Sequence, residues 1–417
     1  MAHFDTASFV HEPPFPRNYG SEFLLLDHGK DSSLYDTMGK KYLDFGSGIA
    51  VNSLGYGRKD LAKIAARQMK RLTHVSNLYA TEPAVSLAQL IINDLSALVV
   101  NKSYQAVHFG NSGSESVEAA LKYSRRYAGN RKGSEYNGFI SFTNSFHGRT
   151  MGSLSVTSSQ KYRQPFGPLI PGVRHLPYND PEALRSALQA DDKVAAIILE
   201  VIQGEGGLSM ASPSFISAIQ QEAAERDIVI IVDEVQSGLG RTGRTLASTG
   251  CGLEPDIICL SKPLAGGLPL SATVITGQIN AEIQPGDHGT TFGGGPVTTA
   301  VANAVWKKIN TPRFLAEVRT RAGILEGELR KLSADIDFCG PIRGEGMLVG
   351  LPVNLPSDEK QNPIKLVLDT CREMGLLVLR SGENIIRIAP PLTISEKDIR
   401  AGVQILHTAL QTVRSTL

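Results

Sequence analysis

The chain has 417 residues, with 42 Lys+Arg against 41 Asp+Glu, 41 glycines, 22 prolines and four cysteines. That length suits a two-domain globular protein with a large buried core, and 41% hydrophobic against 20% charged residues argues against disorder. A net charge of +1 offers no field for a nucleic acid, and no uncharged apolar stretch reaches the about 20 residues of a membrane helix.

From the N-terminus, Met1–Gly20 carries Asp5 and Glu12 and reaches its first arginine only at Arg17. Neither a secretory signal nor a mitochondrial leader is expected there. The final Ser415-Thr416-Leu417 lacks the central lysine of a peroxisomal address. Cys251, Cys259, Cys339 and Cys371 show no C-x-x-C spacing, which predicts free thiols in a reducing compartment, the cytoplasm. The histidines form neither H-E-x-x-H nor a His/Cys cluster, so no metal site is expected.

The stretch Phe109-Gly-Asn-Ser-Gly-Ser-Glu-Ser116 follows a short predicted strand and opens a helix with an apolar face at Val117, Ala120 and Leu121. Ser112 and Glu115 have capping-box spacing, and Gly129 is the predicted stop. The N–H groups of Gly113 and Ser114, at the positive end of the helix, suit a phosphate. An ordinary capped helix accounts for the same residues equally well. No Walker lysine is present, so a nucleoside triphosphate is not implied.

The middle of the chain alternates short apolar runs with helical patterns, as stacked β-α units on a largely parallel sheet do. Val194–Leu199 is followed by Glu200, Ile228–Val232 by Asp233, and Ile257–Ser261 by Lys262. Each run is apolar on both faces, as a covered parallel strand is. Ligands in open α/β sheets gather outside the carboxyl ends of the strands, so two carboxylates and an amine at three strand ends sketch a site. Gly238-Leu-Gly-Arg-Thr-Gly243 matches G-x-G-x-x-G, but Asp233–Ser237 separate it from its strand and no amphipathic period follows. A dinucleotide site is therefore not predicted.

Beyond about residue 310 the pattern changes. Phe314, Leu315, Val318, Ala322, Leu325 and Leu329 mark a long amphipathic helix, and Met347–Val353 reads as a strand. Gly375–Arg380 and Asn384–Ala389 read as a hairpin around Ser381-Gly382, and a last helix starts at Ser395. The predicted class is α/β: a large domain over 56–310 with a mostly parallel sheet, and a smaller α+β domain over 311–417. The segment 1–55 is expected to pack with the small domain, and a ligand cleft is expected between the domains.

Lys262 precedes Pro263-Leu-Ala-Gly-Gly267, a segment thin in side-chain bulk. Partial desolvation there lowers an amine from its usual pKa of about 10.4 and exposes the neutral nucleophile, which forms Schiff bases with aldehydes. With a strand-end Asp and a helix-terminus phosphate site, such a lysine describes a holder for pyridoxal 5′-phosphate (PLP).

These residues lie in segments that resemble the class III PLP-dependent aminotransferases. The matching segments are Asn111-Ser-Gly-Ser-Glu115, Phe146-His-Gly-Arg-Thr150, Glu200-Val-Ile-Gln-Gly-Glu-Gly-Gly207, Asp233-Glu-Val-Gln-Ser-Gly-Leu-Gly-Arg-Thr-Gly243, Leu260-Ser-Lys-Pro-Leu-Ala-Gly-Gly267, His288-Gly-Thr-Thr-Phe-Gly-Gly294 and Arg387-Ile-Ala-Pro-Pro391. Within the class the chain is most similar to the acetylornithine aminotransferases. The resemblance implies fold type I and PLP as cofactor.

Position by position, the resemblance implies that Lys262 holds PLP as a Schiff base and then carries the proton. Asp233 pairs with the pyridinium nitrogen, Val235 and Phe146 sandwich the ring, and Gln236 bonds the phenolic oxygen. Gly113 and Ser114 bind the phosphate, with Thr291 reaching it from the neighbouring subunit of a homodimer with shared sites. Arg149 anchors the substrate α-carboxylate, and Thr290 is grouped with the substrate residues. Glu205 and Arg387 form a switch pair that neutralises the arginine for the amino donor and frees it for 2-oxoglutarate. A guanidinium suits these tasks because it meets a carboxylate bidentately.

The implied reaction moves the terminal amino group of N-acetylornithine to 2-oxoglutarate by a ping-pong route. Gly48, in Gly46-Ser-Gly-Ile-Ala-Val-Asn52, leaves room where relatives that prefer free ornithine carry a large aromatic. Gly295, in place of the usual Asn, and Ala247–Cys251, without the usual aromatic and histidine, depart from the family pattern and bear on the choice of donor. The alternatives are another class III ω-aminotransferase acting on 4-aminobutyrate, ornithine, lysine or a specialised amine, and a class III decarboxylase or aminomutase. Eukaryotic members make the mitochondrial matrix the alternative compartment.

Overall fold

The structure, a computed structural model, describes residues 9–11, 13–19, 22–355 and 362–416. The stretches read for a leader (Met1–Gly20) and for a peroxisomal address (Ser415–Leu417) lie partly outside the described residues. Among the described residues, no helix is long and apolar enough to cross a membrane.

Seven strands build the central sheet: β1 (Tyr104–Gly110), β2 (Gly138–Phe142), β3 (Val173–Leu176), β4 (Val194–Leu199), β5 (Val229–Asp233), β6 (Ile257–Leu260) and β7 (Ser271–Thr276). Their spatial order is β1-β7-β6-β5-β4-β2-β3. Neighbours run parallel except at β7, which is antiparallel to both β1 and β6. The sheet is thus mostly parallel, as its apolar runs predict.

The two-residue period of a strand divides the central strands between two cores. Ile197, Leu199, Ile230, Val232, Ile258 and Leu260 pack with Ile91 and Leu95 of the helix Glu82–Leu98 and with Phe215 and Ile219 of the helix Pro213–Arg226. On the opposite face, Ala196, Ile198, Val229, Ile231, Ile257 and Cys259 meet Val117, Ala120 and Leu121 of the helix Gly113–Lys132. Burial on both sides removes any position where a polar residue is tolerated, hence the unbroken apolar runs. Each such aliphatic side chain contributes roughly 1.5–3 kcal/mol.

Strand register delivers the site. Val232 lies opposite Leu199 and Ile258, so Asp233 and Glu200 emerge side by side, with Lys262 two residues past the end of β6. The Gly113–Lys132 helix runs beyond the predicted stop at Gly129 and ends at Gly133 (φ 121°). Its last turn is held by Lys132 Nζ, which donates to the carbonyls of Arg226 (3.1 Å) and Asp227 (2.7 Å). These bonds offset the roughly 1 kcal/mol that a helical glycine costs.

The C-terminal part carries a four-stranded antiparallel sheet that includes Leu348–Pro352, flanked by the helices Pro312–Asp335 and Glu396–Thr416. The predicted hairpin is realised only in part. Leu379–Ser381 pairs with Ile385–Ile388, whereas Leu376–Leu377 pairs in parallel with Lys41–Asp44. Two short strands serve two sheets here, which a single apolar run conceals. Phe45 and Leu54 join Val318, Leu325, Leu329, Leu406 and Leu410 in one apolar cluster, to which the helix Pro296–Ile309 adds Val301, Val305 and Ile309.

The stretch Gly238–Gly243 is a turn-rich clasp rather than a strand-to-helix junction. Arg241 within it is buried. Its guanidinium donates to the carbonyls of Met347 (3.2 Å) and Pro390 and to Ser53 Oγ (2.9 Å), tying three distant segments together. Gly240 (φ 87°) allows the approach, since a Cβ there would stand 2.9 Å from Ile309 Cγ2.

Candidate active site

A cavity of about 370 Å³ opens at the carboxyl ends of β4, β5 and β6. Seven of the sequence-predicted residues line it: Gly113, Ser114, Phe146, Asp233, Val235, Gln236 and Lys262. Arg149, Glu205 and Arg387 stand beside it. Thr290 and Thr291 are not among its walls; Thr291 is exposed, and the Thr290 carbonyl accepts from Asn77 Nδ2 at 2.8 Å.

One end of the cavity is a helix N-terminus. Ser112 caps the Gly113–Lys132 helix, its Oγ accepting from Glu115 N at 3.3 Å. The return bond differs from the predicted capping box: the Glu115 carboxylate accepts from Asn111 N (2.6 Å) and Asn111 Nδ2 (2.8 Å). The first N–H groups of the helix, at Gly113 and Ser114, have no partner within it. Residue 113 admits only glycine without a shift, because a Cβ there would stand 2.8 Å from Val235 Cγ1. Backbone and side chain are thereby brought close at the end that suits an anion.

The other polar groups follow the strand ends. Asp233 Oδ1 accepts from Val235 N at 3.0 Å, and Oδ2 lies 2.9 Å from His147 Nδ1. Both side chains are buried, and among the described residues His147 Nε2 has no partner. Glu200 accepts from Phe146 N and Gly204 N, each at 3.0 Å. Burial pushes the Glu200 carboxyl up to about 7; the neighbouring His147 opposes the rise and the Asp233 carboxylate adds to it. The Lys262 amine is pulled down by burial, with the Asp233 and Glu205 carboxylates opposing. A neutral amine facing a cavity is a nucleophile.

Two arginines flank the cavity in different electrostatic states. Arg387 is buried and bonds Glu205, the Gly204 carbonyl (2.9 Å) and Gln236 Oε1 (3.2 Å). Arg149 is exposed. Among the described residues it has no ion pair, and its guanidinium carbon lies over the rings of Tyr162 (3.5 Å) and Phe146 (5.6 Å).

The residues present fit PLP. A helix terminus with unpaired N–H groups, a buried carboxylate and an amine of lowered pKa surround one cavity, matching the cofactor's phosphate, ring nitrogen and aldehyde. Sequence reasoning assigned no role to His147, although it lies inside the quoted Phe146–Thr150 segment, and marked Glu200 only as a strand-end carboxylate of the site. It also missed Val51, a further wall of the cavity. Val51 is delivered by a left-handed turn with φ of 43° at Ser47, 65° at Gly48, 61° at Ile49 and 63° at Ala50. Such a turn costs roughly 1–2 kcal/mol per non-glycine residue. The Asp44 carboxylate holds it by accepting from Gly46 N (2.8 Å) and Ser47 N (2.9 Å). A Cβ on Gly48 would meet only Asn52 Nδ2 (3.1 Å) and Val51 Cβ (3.8 Å), so its outer side is open. The departure at Ala247–Cys251 faces inward instead: the Glu234 carboxylate accepts from Ala247 N (3.1 Å) and Ser248 N (2.6 Å).

Comparison with known proteins agrees with this chemistry. The chain is 40% identical over 410 residues to a probable mitochondrial acetylornithine aminotransferase of Dictyostelium discoideum, covering 97% of this chain and 88% of that protein. Among solved structures it is similar to the ornithine aminotransferase of Toxoplasma gondii (TM-score 0.86, 28% identity, 94% of this chain and 91% of that one). It is also similar to the N-acetylornithine aminotransferase of Stenotrophomonas maltophilia (TM-score 0.81, 26% identity, 97% and 98%). The family model for class-III aminotransferases matches residues 15–410, and the chain therefore belongs to that family of PLP-dependent transaminases.

Proposed function

We propose that this transaminase moves the terminal amino group of N-acetylornithine to 2-oxoglutarate, releasing an aldehyde and glutamate. The observation that carries this reading is the contrast between Arg149, without an acidic partner among the described residues, and Arg387, neutralised by Glu205. A donor with one carboxylate and a near-neutral tail needs only the first; a dicarboxylate acceptor needs both. The open side of Gly48 favours a donor whose α-amine is acylated, in keeping with the acetylornithine aminotransferases at about 40% identity.

PLP, when bound, supplies an aldehyde that condenses with amines and a ring that draws in electrons. In this reading Lys262 Nζ would hold the cofactor at its aldehyde and, once the donor amine has displaced it, would carry the proton taken from the donor carbon that bears the amine. Asp233 would hold the proton on the ring nitrogen, Val235 and Phe146 would clasp the ring, and Gln236 would bond the phenolic oxygen. The N–H groups of Gly113 and Ser114 bind phosphate, joined by Thr291 of the partner subunit. Arg149 orients the α-carboxylate, and Glu205 yields Arg387 to the acceptor.

A homodimer is part of the proposal. Leu78 (87% exposed), Tyr79 (72%) and Phe292 (67%) are large apolar side chains next to Thr291 and the Asn77–Thr290 bond, and such a patch marks an interface. We place the domain boundaries near residues 55 and 310 on the pairing of Lys41–Asp44 with Leu376–Leu377. The four free cysteines favour the cytoplasm. Free ornithine is the second reading, favoured by the likeness to the Toxoplasma enzyme. Glutamate formation from 2-oxoglutarate with a panel of donors tests the choice: acetylornithine outrunning ornithine is expected, and the reverse order overturns it.

A further inference from the structure

Tyr162 belongs to none of the segments that carry the family resemblance, yet it touches the arginine on which substrate binding rests. The Arg149 guanidinium carbon lies 3.5 Å from the centroid of the Tyr162 ring, face-on contact at van der Waals distance. No acidic side chain holds that guanidinium among the described residues. We propose that Tyr162 is the positioning residue of the carboxylate anchor, covering one face of Arg149 so that its N–H edge is presented to the α-carboxylate of the donor and to the distal carboxylate of the 2-oxo acid. The inference rests on the reading of Arg149 as that anchor.

The surrounding structure makes the ring the element that decides where the guanidinium goes. The Arg149 backbone is already fixed, its N–H donating to Ser114 Oγ at 3.1 Å. The turn that follows is pinned by Glu118, whose Oε1 accepts from Thr150 Oγ1 (2.5 Å), Gly152 N (2.8 Å) and Ser153 N (3.1 Å). What remains is the rotamer freedom of a long side chain, and immobilising it before a ligand arrives raises affinity. A carboxylate partner would immobilise it too, but would occupy the donors that the substrate needs. An aromatic face attracts the cation and leaves the in-plane N–H groups free.

Tyr162 is itself braced. It sits in the short helix Gln160–Arg163, its N–H donating to Ser159 O at 3.1 Å. Phe146 meets it edge-on, with centroids 6.4 Å apart and planes at 85°. The two rings, with Glu205, also border a cleft of about 1140 Å³.

Single-turnover half-reactions of the PLP-loaded enzyme test this, with N-acetylornithine and then 2-oxoglutarate as the varied reactant. Tyr162→Leu, and Tyr162→Met as a milder change, are expected to raise the half-saturating concentration of both reactants about ten-fold. The rate at saturation and the visible spectrum should stay the same. Tyr162→Phe keeps the ring face and should remain within about two-fold of the parent. Unchanged half-saturation in Tyr162→Leu, or a Phe variant as impaired as the Leu variant, overturns the proposal. Arg149→Ala in parallel separates the two failures: if it alone weakens binding, the anchor stands and the Tyr162 role falls. If it weakens nothing, the anchor reading falls as well.

Discussion

His147 Nδ1 stands 2.9 Å from Asp233 Oδ2 with both side chains out of solvent, so the acid at the end of β5 is never alone in the core. A buried carboxylate stripped of such a partner costs about 1–3 kcal/mol. His147→Phe keeps the ring volume and removes the bond. We expect kcat/KM to fall roughly 10- to 100-fold and PLP to be held more weakly, whereas His147→Asn, which retains a donor, recovers part of the loss. Steady-state kinetics with titrated PLP measure both, and a Phe variant with parental kinetics would show that Asp233 needs no support.

Glu200 sets a pH dependence of stability. Its carboxyl titrates near 4.5 when unfolded and near 7 when folded, chiefly because it is buried. Between those values the folded chain keeps a proton that the unfolded chain has lost, so stability falls as pH rises from about 4.5 to about 7 and levels off above. Glu200→Gln removes this contribution. Urea unfolding of cofactor-free protein should show the variant gaining on the parent by about 2–3 kcal/mol between pH 5 and pH 8. An equal difference at both pH values would mean that the carboxyl is not raised.

Among the described residues Lys262 has no hydrogen-bond partner, and burial lowers its pKa. Lys262→Ala should therefore cost little stability, since a desolvated amine without a partner contributes none. Turnover should fall at least about a thousand-fold through loss of the proton carrier, and the visible band of lysine-linked PLP should be lost. Absorbance, thermal unfolding and product assay read the three effects separately. A retained visible band would remove this lysine from the reaction.

Glu205→Ala frees Arg387 while leaving its bonds to the Gly204 carbonyl (2.9 Å) and Gln236 (3.2 Å) in place. The unneutralised positive charge favours dicarboxylates. KM for 2-oxoglutarate should fall a few-fold and kcat/KM for acetylornithine should fall about ten-fold, the sizes that charge-assisted hydrogen bonds of 1.5–3 kcal/mol allow. Donor and acceptor half-reactions followed separately check the opposite signs; movement in the same direction would argue against a switch.

The parts of the cavity that could be read from the chain share one property: each is a short continuous segment in which local structure does the positioning. An apolar strand followed by Asp233, another followed by Lys262, and a capped helix start at Ser112–Glu115 carry their geometry with them. The predicted stop at Gly129 failed because a distant pair of carbonyls, at Arg226 and Asp227, holds one more turn. The predicted hairpin was shortened because Leu376–Leu377 was claimed by a strand more than 300 positions earlier in the chain.

By itself the amino-acid order determined the class of fold, the strand ends and the cofactor segments, since the period of burial and the chemistry of caps act over a few neighbouring residues. Only the tertiary structure decided which side chains complete them. His147 on Asp233 and Tyr162 on Arg149 are contacts across 86 and 13 positions. No local periodicity records such contacts, because sheet order and the packing of one segment over another bring them together.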